Sequence, residues 1–201
     1  MLGEHGWIVD GRVINLDTCA YQERITALFE SGELKKTKGA RILEIGGGYG
    51  ALARSLSQMV GAKEYVICDL PESLLFSGLY LTLSEAGPVQ VTGDAYRPTN
   101  KFVLLPNYKL HLLSGHFDLV INTISMSEMT EYQVTTYAER IVPLIGDSGA
   151  FFEQNSTDSG PETAKPQAVL PQYFSKNAPL SEHRGFSQGQ PFLRSNRTVR
   201  S

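Results

Sequence analysis

The sequence predicts an α/β domain, a doubly wound and mostly parallel sheet with helices on both faces. Three observations carry this expectation. Short apolar runs recur at 40–45, 64–69, 89–94, 117–122 and 149–155. Helix-length amphipathic segments separate most of them, and strands alternating with helices imply right-handed crossovers and a parallel sheet. The first run passes straight into a glycine cluster, Gly46-Gly47-Gly48-Tyr49-Gly50, as a strand does when it turns into a helix at a ligand crevice.

Each element has its own reason. Asp17 or Thr18 can cap an N-terminal helix whose apolar face carries Tyr21, Ile25, Leu28 and Phe29, and Gly32 marks its end. Lys35 to Gly39 reads as a polar linker. Ala40 to Ile45 is the first strand, and Tyr49 to Met59 a helix burying Leu52, Leu56 and Met59. Glu64 to Asp69 is the second strand. Pro71 occupies a favoured first-turn position for a helix that runs to about Glu85 and stops at Gly87-Pro88. Val89 to Asp94 is a weaker third strand, and Phe117 to Asn122 a fourth. A helix spans about Glu131 to Val142, and Gly149 to Asn155 is a fifth strand in which Phe151 and Phe152 belong to the core. The remainder is rich in Ser, Pro, Gly and Gln and reads as loop, with a late strand over 191–199. Three parts follow: 1–38, a helical segment and linker; 39–156, the cofactor-binding domain; and 157–201, a loop-rich segment completing the sheet or the substrate side.

Composition excludes several classes. With 201 residues, 41% hydrophobic and 19% charged, the chain can bury a core and carries too little charge for a disordered protein. A formal charge of -3 argues against a dedicated nucleic-acid binder. Cys19 and Cys68 make no disulfide framework. The sequence has no apolar run of about 18 residues and no signal-peptide pattern at Met1 to Gly6, so the expectation is a soluble cytoplasmic protein, with its oligomeric state open and a homo-oligomer allowed. From Lys176 onward, Lys176, Arg184, Arg194, Arg197 and Arg200 face one acidic residue, Glu182, leaving that segment net +4 and the rest -7. This strip is either a solvated tail or a surface for an acidic substrate or phosphate-bearing donor.

Glycines at the strand-to-helix turn permit positive φ and let a ligand approach the backbone, and the following helix N-terminus offers unpaired N–H groups. Glu44 ends the strand just before them, and a buried carboxylate there must meet a cation or donors. Asp69 ends the second strand 19 residues after Gly50, where a carboxylate accepts hydrogen bonds from a ribose diol. Asp94, after the third strand, is placed to accept an adenine amino group. Two nucleoside cofactors use this layout. A nicotinamide dinucleotide wants G-x-G-x-x-G and a helix N-terminus free of carboxylates for its pyrophosphate. This chain has G-G-G-x-G behind a glutamate, and an anion suits the amino group and sulfonium of S-adenosylmethionine better.

On Leu43 to Ala53, Cys68-Asp69-Leu70-Pro71-Glu72-Ser73-Leu74 and Phe117 to Met129, the sequence resembles the class I S-adenosylmethionine-dependent methyltransferases. Within that class, Asp-Leu-Pro-Glu and Ser-Met-Ser-Glu-Met resemble the sugar O-methyltransferases of bacteria. The resemblance covers roughly residues 40–156. It implies a Rossmann-like fold in which Glu44, Gly46 and Gly48, with Gly47 and Gly50 in the same turn, surround the methionine part of the donor. Asp69 would bind the ribose, Leu70 would pack on the adenine, and Asn122 through Ser125 would floor the place where the methyl group is presented. Tyr49 would be a further cofactor neighbour. The acceptor would be a small molecule or glycan.

A sugar hydroxyl is a poor nucleophile, so a general base is expected, and Glu128 after the fourth strand is the first candidate. His116 lies at the wrong end of that strand, Asp118 reads as structural, and His111 and His183 stay open. No compact metal-ligand spacing is present, so no metal is expected. The competing readings are a nicotinamide-dependent oxidoreductase and a non-catalytic module that binds the donor.

Overall fold

The computed structural model describes residues 5–30, 32, 39–96, 101–156, 163–175 and 193–197, with backbone alone at 175 and 193–197. The first described element is a hairpin of β1 (Trp7–Val9) and β2 (Arg12–Ile14), which the sequence reading missed. Asp10 and Gly11 both have positive φ, 50° and 74°, as a two-residue turn matched to strand twist requires. Helix α1 (Leu16–Glu30) follows. Its cap is Asn15 rather than Asp17 or Thr18: Asn15 Oδ1 accepts the Thr18 N–H at 2.7 Å. Ile25 and Leu28 are buried as expected, but Phe29 lies on the outer side. The expected linker at Lys35–Lys38 falls outside the described residues.

The main sheet contains β3 (Arg41–Ile45), β4 (Glu64–Asp69), β5 (Val89–Val91), β6 (Phe102–Pro106), β7 (Leu119–Thr123), β8 (Ala150–Gln154), β9 (Phe174–Ser175) and β10 (Leu193–Arg197), in the order β5-β6-β4-β3-β7-β8-β10-β9. The six strands from β5 to β8 are parallel; β10 runs antiparallel to β8, and β9 antiparallel to β10. From β3 the chain proceeds to β4 on one side and later returns with β7 on the other. The strand order therefore reverses between β3 and β7, and the crevice lies at their carboxyl ends.

Alternation along each strand splits the core into two layers. Ile42, Tyr65, Ile67, Phe102 and Leu104 meet α1, α2 (Ala51–Val60) and α3 (Pro71–Leu83) on one face. Leu43, Ile45, Val66, Cys68, Val103 and Leu105 meet a 3₁₀ helix (Asn107–Leu112), α4 (Glu131–Ile145) and α5 (Pro166–Val169) on the other. Phe151 and Phe152 are core residues, one in each layer. Met59 is exposed, and Val60 takes the buried position at the end of α2.

The main topological surprise is β6. Residues 102–106 form a fully buried strand lodged between β4 and the expected third strand, β5, which is pushed to the edge. The late strand expected at 191–199 is present as β10. Side chains of the basic C-terminal strip, and His183, lie outside what is described. No described helix is long and apolar enough to cross a membrane.

Candidate functional site at the sheet switch point

The glycine turn is held from three directions. Gly46 donates its N–H to the Cys68 carbonyl at 2.9 Å, Gly50 to the Gly47 carbonyl at 3.0 Å, and the Ser77 hydroxyl of α3 donates to the Gly48 carbonyl at 2.6 Å. Gly46, Gly48 and Gly50 have φ of 73°, 54° and 87°, the left-handed region that side-chain-bearing residues avoid. Gly46 has a second constraint: a Cβ there would collide with the Ser125 side chain. Gly46→Ala is therefore expected to destabilise the fold by roughly 1–3 kcal/mol and to displace Ser125; thermal unfolding together with donor affinity reads both effects.

Asp69 joins the turn to β4. Its Oδ2 accepts the Gly48 N–H at 2.9 Å and its Oδ1 the Leu70 N–H at 2.7 Å, so the carboxylate is fixed while lone pairs stay available. Burial raises its pKa above the usual carboxylate value, and these two backbone donors offset only part of that rise. After β7, Ile124 adopts φ 72°, a costly conformation for a β-branched residue. The turn lets the next four residues, a short 3₁₀ helix (Ser125–Glu128), fold over the crevice. Its support is buried: Asn122 Nδ2 donates to the Ile45 carbonyl at 2.9 Å and to Ser125 Oγ at 2.6 Å, and Asn155 Nδ2 donates to Asn122 Oδ1 at 2.9 Å.

The result is a cleft of ≈ 190 Å³ bringing together Gly46, Asp69, Leu70, Ser125 and Glu128, with Asn107 and Tyr137 on its far side. A second hollow of ≈ 280 Å³ continues from it, sharing Asn107, Gln133 and Tyr137 and reaching His111. Of the residues singled out in the sequence, Gly46, Asp69, Leu70, Ser125 and Glu128 share this one cleft, with Gly48 tied to it through its N–H.

Six other expected residues stand elsewhere. Glu44 does not line the cleft. Strand alternation puts it on the Ile42 side, beneath Gly47, where it accepts a hydrogen bond from the Tyr65 hydroxyl at 2.9 Å and feels the charge of Arg24 on α1. Burial pushes its carboxyl up to about 7. Gly47 faces the same layer, packed towards Ile67 and Glu44. Tyr49 turns to the helical face, edge-on to Tyr21 and Tyr80 at 6.2 and 5.1 Å between ring centres. Asn122 is fully buried and acts as a bracket under Ser125 rather than as floor. Asp94 is exposed after the edge strand β5; because β6 intervenes, Asn107 follows the strand next to β4 and takes the place expected of Asp94. Gly50 caps α2 and faces Leu81.

Cys68, Asn107, Met129, Gln133 and Tyr137 line the cleft without having been anticipated. Gln133 and Tyr137 sit four residues apart on α4, a spacing that places them on one face; Asn107 was hidden because its strand was missed. His116 and Asp118 lie at the opposite end of the sheet, where Asp118 Oδ2 accepts the Arg41 N–H at 2.9 Å.

No family model and no curated protein matches the sequence. Solved structures do match it in architecture. The PH0226 protein from Pyrococcus horikoshii OT3 superposes with a TM-score of 0.64 at 15% identity, over 92% of this chain and 94% of that one. PigF, solved with SAH, gives 0.54 at 17% identity over 92% of this chain. The mitomycin 7-O-methyltransferase MmcR gives 0.58 at 12% identity over 90%. The chain spans 60% of the length of PigF and 58% of MmcR. The protein therefore has the Rossmann-like fold seen in methyltransferases, with its switch-point crevice built from a glycine turn, a strand-end aspartate and a glutamate-bearing turn.

Proposed function

We propose that the protein is an S-adenosylmethionine-dependent O-methyltransferase acting on a hydroxyl of a sugar or glycosylated metabolite. The observation that carries this reading is the joining, in one cleft, of the Gly46 turn, the Asp69 carboxylate and the Glu128 carboxylate. The residues fit the donor. Gly46 leaves a wall free of side chain, Asp69 keeps lone pairs for a diol, and Leu70 and Tyr137 offer apolar surface to a purine. The continuing hollow gives length for a nucleoside. Two carboxylates suit a cation and oppose a pyrophosphate. The negative lining falls to Asp69 and Glu128, since Glu44 lies beneath the turn.

When bound, S-adenosylmethionine supplies a sulfonium methyl group that is displaced onto an acceptor oxygen with departure of the neutral thioether. The chain's part is to align and to manage one proton. Asp69, rigid on two backbone donors, holds the ribose. Ser125, held by Asn122, keeps the floor in register with the Gly46 turn. Glu128 takes the proton from the acceptor hydroxyl. The fold itself serves acceptors of more than one kind, since the matched structures include enzymes named as O- and as N-methyltransferases. The resemblance of the 117–129 stretch favours the sugar oxygen.

Calorimetric titration with S-adenosylhomocysteine and with NAD tests the cofactor. Binding of the former is expected, weakened by roughly 1–3 kcal/mol in Asp69→Ala through loss of charge-assisted hydrogen bonds. Stabilisation by NAD alone would replace this reading with an oxidoreductase. Donor binding without transfer to any member of a glycan and small-molecule panel would support a binding module instead.

A further inference from the structure

A larger hollow than the switch-point cleft lies on the opposite side of the glycine turn. It has a volume of ≈ 480 Å³ and is bounded by α1, α2 and the end of α3. That falls within the range of small-molecule sites, roughly 300–1,000 Å³. Its lining is aromatic and polar together: Tyr21, Tyr49 and Tyr80 form one wall, and Gln22, Gln58 and Arg54 stand with them. Arg54 has a buried Nε–H with no hydrogen-bond partner among the described residues. Arg54 is the charged side chain among the described residues that line the groove, and its positive charge would attract an anion there. Burial first, then the neighbouring Tyr49, raises the Tyr21 pKa far above the ordinary phenol, so its hydroxyl stays neutral.

We infer that this groove is a second ligand site, for a sugar that carries an anionic group, a carboxylate or a phosphate. The guanidinium meets the anion with a planar set of donors. The tyrosine rings give flat apolar surface with hydroxyl handles for the face of a pyranose, and the two amides pair with its hydroxyl groups in both donor and acceptor senses. A purely apolar ligand would strand the amides, and a bare inorganic anion would leave the tyrosine wall unused. The site does not depend on methyl transfer at the switch point, and among the described residues it shares no lining residue with that cleft.

The test is titration of the full chain, by calorimetry or by ligand-observed NMR, with glucuronate, glucose 6-phosphate, neutral glucose and inorganic phosphate. At least one of the two anionic sugars is expected to bind, and the pair separates carboxylate from phosphate recognition. Glucose is expected to bind at least about tenfold more weakly, and Arg54→Gln to weaken the anionic sugar by about tenfold or more. Gln58→Ala, an exposed change on α2, is expected to weaken it several-fold without altering thermal stability. S-adenosylhomocysteine affinity should stay at the wild-type value in both variants, which separates this site from the cleft. Failure of both anionic sugars to bind, an unchanged affinity in folded Arg54→Gln, or equal binding of inorganic phosphate and glucose 6-phosphate would each overturn the proposal.

Discussion

Glu128→Gln is expected to slow methyl transfer by roughly 100- to 10,000-fold, the usual contribution of a positioned general base, while S-adenosylhomocysteine binds as before. The substitution is nearly isosteric and removes only the ability to accept a proton. Glu128 is exposed at the cleft, at the end of the Ser125–Glu128 turn. That turn is held by its neighbours rather than by Glu128: the Ser127 N–H donates to Asn155 Oδ1 at 3.1 Å, and the Met129 N–H to the Met126 carbonyl at 3.2 Å. The geometry of the floor should therefore survive the change. Turnover measured at saturating donor and acceptor isolates the chemical step. A rate equal to wild type would remove Glu128 from catalysis and leave the acceptor to deprotonate into solvent.

Glu44→Gln should change stability in a pH-dependent way. Burial raises this carboxyl from 4.5 to about 7, against the opposing pull of Tyr65 and Arg24. Between those values the folded chain keeps a proton that the unfolded chain has released. Stability from this group is thus fully present below about pH 4.5, falls as pH rises towards 7, and is flat above. The loss amounts to roughly 3 kcal/mol. A glutamine imitates the protonated form and still accepts from the Tyr65 hydroxyl. Glu44→Gln is therefore expected to unfold several degrees higher than wild type at pH 8 and at about the same temperature at pH 4.5. Melting curves of both proteins across that interval check the sign; a variant less stable at pH 8 would mean that attraction to Arg24 outweighs desolvation. The same variant reports on the cleft, because a buried charge beneath Gly47 acts on the donor only at a distance, and a modest fall in donor affinity is expected.

How much of this was readable beforehand differs from element to element. The strands at 41–45, 64–69, 119–123 and 150–154 announced themselves as apolar runs between turn residues, and Pro71 placed the start of α3. The positions of Gly46, Asp69, Leu70, Ser125 and Glu128 followed from them, because a parallel sheet gathers whatever comes just after its strands at one edge. Phe102 to Pro106 has no helical pattern before it in the sequence, and a short apolar run without flanking periodicity has no distinctive signature. The hairpin at 7–14 carried a readable Asp-Gly turn that went unused.

The sequence by itself determined the order of β3, β4, β5, β7 and β8 and of the helices among them, the glycine turn, and the chemistry available at the ends of β3, β4 and β7, since local spacing and backbone preference are enough for these. Tertiary structure alone decided which way each side chain points. Pleating turned Glu44 under the turn, the helical layer drew in Tyr49, and a strand inserted between β4 and β5 exchanged Asp94 for Asn107. Such choices depend on which neighbours fill the space on each face of the sheet, and those neighbours come from parts of the chain far apart in sequence.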